Sequence, residues 1–236
     1  MQSLKFYLIM AILIAAATVQ AGGTEQDWAN LGAYRSKNSS LGLPAVAERR
    51  IVFMGDSITE FWQGLEQGAP SPNRHVNRGI SGQTTPQMLL RFRPDVIDLK
   101  PWAVVILAGT NDIAGNTGPA TVAEIAGNIF TMAELARAHG MKVIIASVLP
   151  AARYPWQPEA RPAAEILQLN KLLKGFAASH RFTYLDYYAA MVDEQMGLPL
   201  VYSDDGVHPN IAGYAMMRKL AMVSIKSVVD KSRFRH

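Results

Sequence analysis

Ile51-Val52-Phe53-Met54-Gly55-Asp56-Ser57-Ile58-Thr59-Glu60 opens as an apolar, β-branched run and breaks off in Gly-Asp-Ser. The first half reads as a buried strand and the second as a tight turn. A serine at the mouth of such a turn holds its hydroxyl in the open. If a helix begins there, the surrounding backbone N–H groups lack intrahelical partners and can receive an anion. Serine also caps helices routinely, so this stretch alone leaves both a cap and a nucleophile open.

Downstream, residues 103–108 and 142–149 carry the unbroken hydrophobicity of strands covered on both faces. The first run stops at Gly109-Thr110-Asn111-Asp112 and the second at Pro150. A strand-like run also ends in Gly79-Ile80-Ser81-Gly82, and a fifth strand is expected over residues 182–186. Residues 60–74, broken by glycines and prolines, read as loop. Thr84 or Thr85 with Pro86 marks a helix start, and that helix is expected to run to about Leu99, disturbed at Pro94. Further helices are expected over residues 122–139, closed by Gly140, then over 163–179 and 211–229. Strand and helix alternating without repeat or linker call for an α/β fold, a parallel sheet between helices. In such sheets the ligand sits outside the carboxyl ends of the strands. The Gly-Asp-Ser, Gly-Ile-Ser-Gly and Gly-Thr-Asn-Asp ends should therefore open onto one rim.

The 236 residues suffice for one well-buried domain, expected over 22–236, with 22–49 as an extension packed on it. A hydrophobic share of 49% with 18% charge excludes wholesale disorder. The net charge of +4 is thinly spread, with no basic run and no aromatic-basic interleaving, so no nucleic-acid partner is expected. Lys5, the uncharged apolar residues 6–17 and then Val19-Gln20-Ala21 read as a secretory signal over residues 1–21, cleaved to leave no stable membrane span. The run is short of the roughly 20 apolar residues a comfortable span takes, and an uncleaved anchor is the alternative. A secreted or periplasmic location follows. The absence of cysteine excludes disulfides, thiolate metal sites and a lipid-modified cysteine.

A serine nucleophile needs a base, and the base an orienting group. His139 and His180 sit at helix ends, His236 is terminal, and His75 lies in an irregular loop with no assignable role. His208 has Asp205 three residues before it, in a turn bounded by Gly206 and Pro209. That spacing lets the carboxylate take the imidazole Nδ1–H and leaves Nε2 for Ser57; Asp204 is the competitor. The backbone N–H groups of Ser57 and Gly82 and the side-chain amide of Asn111 are candidate oxyanion donors. Asp56 and Asp112 read as local turn-fixing carboxylates. Trp62, Tyr154, Trp156 and Tyr202 offer stacking faces or simply pack under loops.

Gly55-Asp56-Ser57, Gly82, Gly109-Thr110-Asn111-Asp112 and Asp205-Gly206-Val207-His208-Pro209 resemble, in order, the four sequence blocks of the SGNH (GDSL-type) hydrolases. The likeness covers roughly residues 50–229. It implies a flavodoxin-like three-layer α/β/α sandwich with a five-stranded parallel sheet. It also implies Ser57 as nucleophile, His208 as general base and acid, Asp205 as its orienter, and Ser57, Gly82 and Asn111 as the oxyanion hole. No Gly-x-Ser-x-Gly elbow surrounds Ser57, which argues against an α/β-hydrolase. The expected activity is cleavage of a small ester or acylated carbohydrate through an acyl-enzyme, with no metal or organic cofactor. An acyltransferase or thioesterase using the same site, and a non-catalytic carbohydrate-binding module, are the alternatives.

Overall fold

A computed structural model describes residues 27–67 and 69–233, with side chains through residue 229. The signal-peptide expectation for residues 1–21 lies outside the described residues. In chain order the elements are α1 (Arg35–Leu41), β1 (Arg49–Gly55), α2 (Ser57–Glu60), β2 (Asn73–Gly79), α3 (Thr85–Asp95), β3 (Ala103–Leu107) and α4 (Thr110–Ile113). Then come α5 (Val122–Ala138), β4 (Lys142–Ala146), α6 (Ala163–His180), β5 (Thr183–Leu185), α7 (Tyr187–Met191) and α8 (Ile211–Arg233).

All five strands run parallel in the order β2-β1-β3-β4-β5. This is the flavodoxin-like arrangement expected from the resemblance. Side chains alternate across a strand, so each central strand feeds two cores. Val52, Met54, Val104, Ile106, Val143 and Ile145 face a core with Met88 and Phe92 of α3, Ile125 and Ile129 of α5, and Ile166 and Leu169 of α6. Ile51, Phe53, Ala103, Val105, Ile144 and Ala146 face the other, with Ile58 of α2, Tyr187 of α7, and Met217 and Ala221 of α8. Burying each of the larger aliphatic side chains stabilises the fold by about 1.5–3 kcal/mol relative to exposure. That two-sided burial explains why β1, β3 and β4 read as unbroken apolar runs.

Several boundaries differ from expectation for local reasons. The helix opened by Thr84 has a capping box with Gln87 and ends at Asp95, just past Pro94; a separate 3-10 turn, Ile97–Leu99, follows. Strand β4 stops at Ala146, and residues 147–149 already belong to the rim. His75 is not in an irregular loop: it lies within β2, buried, with Nδ1 3.1 Å from the carbonyl of Leu65.

Central strand β1 has β2 on one side and β3 on the other, so the strand order reverses here. The loops that leave these three strands are therefore neighbours at the carboxyl edge, where a crevice forms. Ser57, Gly82 and Asn111 are all on them.

Candidate active site

Strand β1 ends at Gly55, and Asp56 turns the chain with extended backbone angles and caps α2 by accepting the Ile58 N–H at 2.9 Å. This is the local role expected of Asp56. Ser57 is the first residue of α2, so its N–H has no intrahelical acceptor. Close packing sets this turn against its neighbours. A Cβ at Gly55 would lie 2.1 Å from Thr59 Oγ1, and one at Gly79 2.1 Å from the Glu60 nitrogen.

The loop before α8 delivers the imidazole. His208 Nε2 lies 2.9 Å from Ser57 Oγ, and His208 Nδ1 lies 2.7 Å from Asp205 Oδ2. The other Asp205 oxygen accepts the N–H groups of Val207 and His208, both at 2.8 Å. Burial raises the Asp205 pKa, but the bonds from the His208 ring and from the His208 and Val207 backbone outweigh it and bring it down to about 2. An ionised Asp205 accepts Nδ1–H, which leaves the Nε2 lone pair facing Ser57. Asp204 is exposed, and its Oδ1 lies 3.4 Å from Asn210 Nδ2.

Ser203 carries no motif signal of its own in the sequence, yet it knots this turn. Buried, it accepts the Gly206 N–H at 2.9 Å, and its Oγ lies 3.0 Å from Asp205 Oδ1 and 2.7 Å from the His208 carbonyl. The only hint was its place two residues before Asp205.

Gly82, in the loop after β2, and Asn111, in the turn after β3, come together at the carboxyl edge of the sheet. Gly82 has φ +75°, a conformation that suits glycine. Among the described residues no group accepts from its N–H or from that of Ser57. Buried Asn111 donates from Nδ2 to the Gln83 carbonyl at 3.0 Å, which uses one of its two amide protons. Asn116 bridges the two, with Nδ2 2.9 Å from Asn111 Oδ1 and 3.2 Å from the Gly82 carbonyl.

Asp112 is not a local turn carboxylate. It accepts from the N–H of Thr85 at 2.9 Å and from its hydroxyl at 2.6 Å, tying α4 to the start of α3. The backbone geometry of that turn alone could not reveal a partner 27 residues away.

The aromatic residues divide. Trp62 and Tyr154 are buried, whereas Phe61 and Trp156 are exposed and their rings lie 5.6 and 6.2 Å from the His208 ring. Tyr154 stacks beneath Trp156 at 5.1 Å. Tyr202 is half-buried against the α8 core. A groove of about 1060 Å³ is lined by Phe61, Trp62, Pro209, Ile211, Tyr214 and Arg218 among others, and neither Ser57 nor His208 lines it.

A hydroxyl, an imidazole and a carboxylate hydrogen-bonded in series is the arrangement that nucleophilic acyl chemistry needs. Comparison with known proteins agrees. Residues 53–216 match the model of the GDSL-like lipase/acylhydrolase family. A solved structure from Bacteroides fragilis, described as a candidate acylhydrolase, is 43% identical with a TM-score of 0.81 over 86% of this chain and 99% of its own. The lipoprotein YqeF of Bacillus subtilis, of uncharacterized activity, is 31% identical over 58% of this chain, a match that spans only 49% of its own length. Esterase TesA of Pseudomonas aeruginosa is 26% identical over 78% of this chain and 90% of its own. The chain belongs to the GDSL-like lipase/acylhydrolase family.

Proposed function

We propose that the protein is an exported serine esterase that removes short acyl groups, O-acetyl groups on carbohydrate among them, through an acyl-enzyme on Ser57. The observation that carries this reading is the 2.9 Å approach of His208 Nε2 to Ser57 Oγ, with Asp205 at 2.7 Å behind the imidazole. Ser57 Oγ attacks the ester carbonyl carbon while its proton passes to His208 Nε2. The carbonyl oxygen becomes an oxyanion held by the N–H groups of Ser57 and Gly82 and the second amide proton of Asn111. The C–O bond to the alcohol breaks, and His208 returns the proton to the departing alkoxide. Water then attacks the acyl-enzyme by the same steps in reverse roles, releasing the acid and restoring Ser57.

Exposed faces of Phe61 and Trp156 beside His208 suit the flat apolar side of a sugar or a similar leaving group. Export rests on the signal-like residues 1–21. Among the described residues no helix is long and apolar enough to cross a membrane.

Ser57→Ala is expected to lose turnover of p-nitrophenyl acetate by at least about 1000-fold while keeping its circular dichroism spectrum. Wild-type turnover in that variant refutes the acyl-enzyme.

A further inference from the structure

Asn116 lies in the loop after α4 and belongs to none of the sequence blocks. It is exposed, yet its amide meets three partners: Asn111 Oδ1 at 2.9 Å, the Gly82 carbonyl at 3.2 Å and Trp156 Nε1 at 3.2 Å. An indole N–H can only donate. The Asn116 atom facing Trp156 is therefore its oxygen, and the opposite end is the NH₂ group, which has a proton for each of the two remaining acceptors. One of these is Asn111 Oδ1, so the polarity of the Asn111 amide is set in turn. Its NH₂ group must point away from Asn116, toward the Gln83 carbonyl at 3.0 Å and the rim. The consecutive carbonyls of Gly82 and Gln83 are thus each held by an asparagine, which fixes the left-handed turn at Gly82.

We infer that Asn116, itself anchored by Trp156, is the positioning residue that holds the Asn111 amide and the Gly82 turn in the orientation that receives the oxyanion. The inference rests on the ester-cleaving function proposed above. Asn116 does not touch the reacting atoms; it acts through Asn111 and Gly82. Because it is exposed, water can replace its bonds when it is removed, so stability changes little. What is lost is the fixed direction of donors that matter only once negative charge has formed.

The test compares wild type, Ser57→Ala, Asn116→Ala and Trp156→Phe for kcat and KM on p-nitrophenyl acetate. A second measurement is inhibition by phenylboronic acid, which becomes tetrahedral and anionic on a serine hydroxyl. Removing an oxyanion donor outright typically costs about 100- to 1000-fold; misorienting one should cost less. Asn116→Ala is expected to lower kcat by about 10- to 100-fold with KM changed less than about threefold, and to weaken boronate inhibition in proportion. Trp156→Phe keeps an aromatic ring but lacks the indole N–H, and should shift both in the same direction by a smaller factor. It also serves as the reading should Asn116→Ala not fold. Wild-type kcat and boronate affinity in both variants, with Ser57→Ala inactive, overturns the positioning role and leaves the esterase standing. So does a rise in KM at constant kcat. Full turnover by Ser57→Ala overturns the esterase reading itself, and this inference with it.

Discussion

Asp56 and Asp205 sit on either side of the Ser57–His208 pair, and their surroundings push them in opposite directions. Burial raises Asp56 to about 7 against the lowering effects of the Ile58 N–H and His208, and among the described residues its Oδ2 has no hydrogen-bond partner. Asp205 is held at about 2. A raised carboxyl keeps its proton in the folded state after the unfolded chain has released it. Between pH 4 and 7 the folded state therefore binds more protons, and Asp56 makes stability fall as pH rises, by up to roughly 1.4 kcal/mol per pH unit. Asp205 works in the other window: its stabilisation is complete above its unfolded pKa and is lost as pH falls from about 4 toward 2. With its side chain 42% exposed, solvent screening reduces that contribution well below the ideal. Asp56→Asn keeps an acceptor for Ile58 and removes the titration. Its stability in urea should decline less steeply from pH 5 to 7 than that of the wild type. Parallel declines would show that another group is responsible.

At the level of elements, the site depends on how closely α2 sits on the ends of β1 and β2. A methyl at Gly79 would lie 2.1 Å from the backbone nitrogen of Glu60 and 2.7 Å from the Asp56 carbonyl, and neither can move without moving Ser57. Gly79→Ala is expected to destabilise the fold by about 3 kcal/mol or more and to lower esterase turnover as α2 shifts. A wild-type urea midpoint in that variant contradicts the tight packing. The elements also show what the sequence made legible. Strands β1, β3 and β4, buried on both faces, announce themselves as apolar runs, and Thr84 with Pro86 marks the start of α3. Strand β2 does not. Its Asn73-Arg74-His75-Val76-Asn77-Arg78-Gly79 is largely polar because it lies at the sheet edge and its polar side chains meet partners distant in sequence. His75 meets the Leu65 carbonyl, Asn77 the Thr59 carbonyl and Arg78 the Asn38 side chain. The short α4 and α7 fall below the length at which helical periodicity can be seen. Ser57, Asp205 and His208 were legible because turn residues and a three-residue spacing are local facts. Asn116 was not, since its partners come from three separate segments.

On the scale of the whole molecule, residues 27–47 work as a strap across the edge of the sheet behind the site. The Tyr34 hydroxyl donates to the carbonyl of Gly79, and the Arg78 guanidinium lies 4.6 Å from the centre of the Tyr34 ring. Asn38 donates to Asp95 Oδ1 at 2.7 Å, and Gln83 and Gln87 donate to the carbonyls of Ala29 and Trp28 at 2.9 and 2.6 Å. Asp95 in turn pairs with buried Arg91 at 3.1 Å, and Arg91 donates to the Gly55 carbonyl at 3.0 Å, at the end of the strand that delivers Ser57. Removing the strap would leave Arg78, Arg91, Asp95 and Gln83, all buried in the intact protein, open to water at one side and short of partners at the other. Losing a hydrogen-bond partner of a buried charged group such as Asp95 costs about 1.5–3 kcal/mol. A chain lacking residues 27–47 but keeping Glu48, which pairs with buried Arg50 at 3.0 Å, is therefore expected to unfold at a clearly lower urea concentration. Its turnover should fall as well, because Gly79 and Gln83 bracket the turn that carries Gly82. Tyr34→Phe separates the two effects. It retains the ring under Arg78 and removes only the bond to Gly79, at a cost of about 1 kcal/mol. If the truncated chain unfolds at the wild-type midpoint, the strap only decorates the domain, and the geometry at Ser57 is held by the sheet and α3 alone.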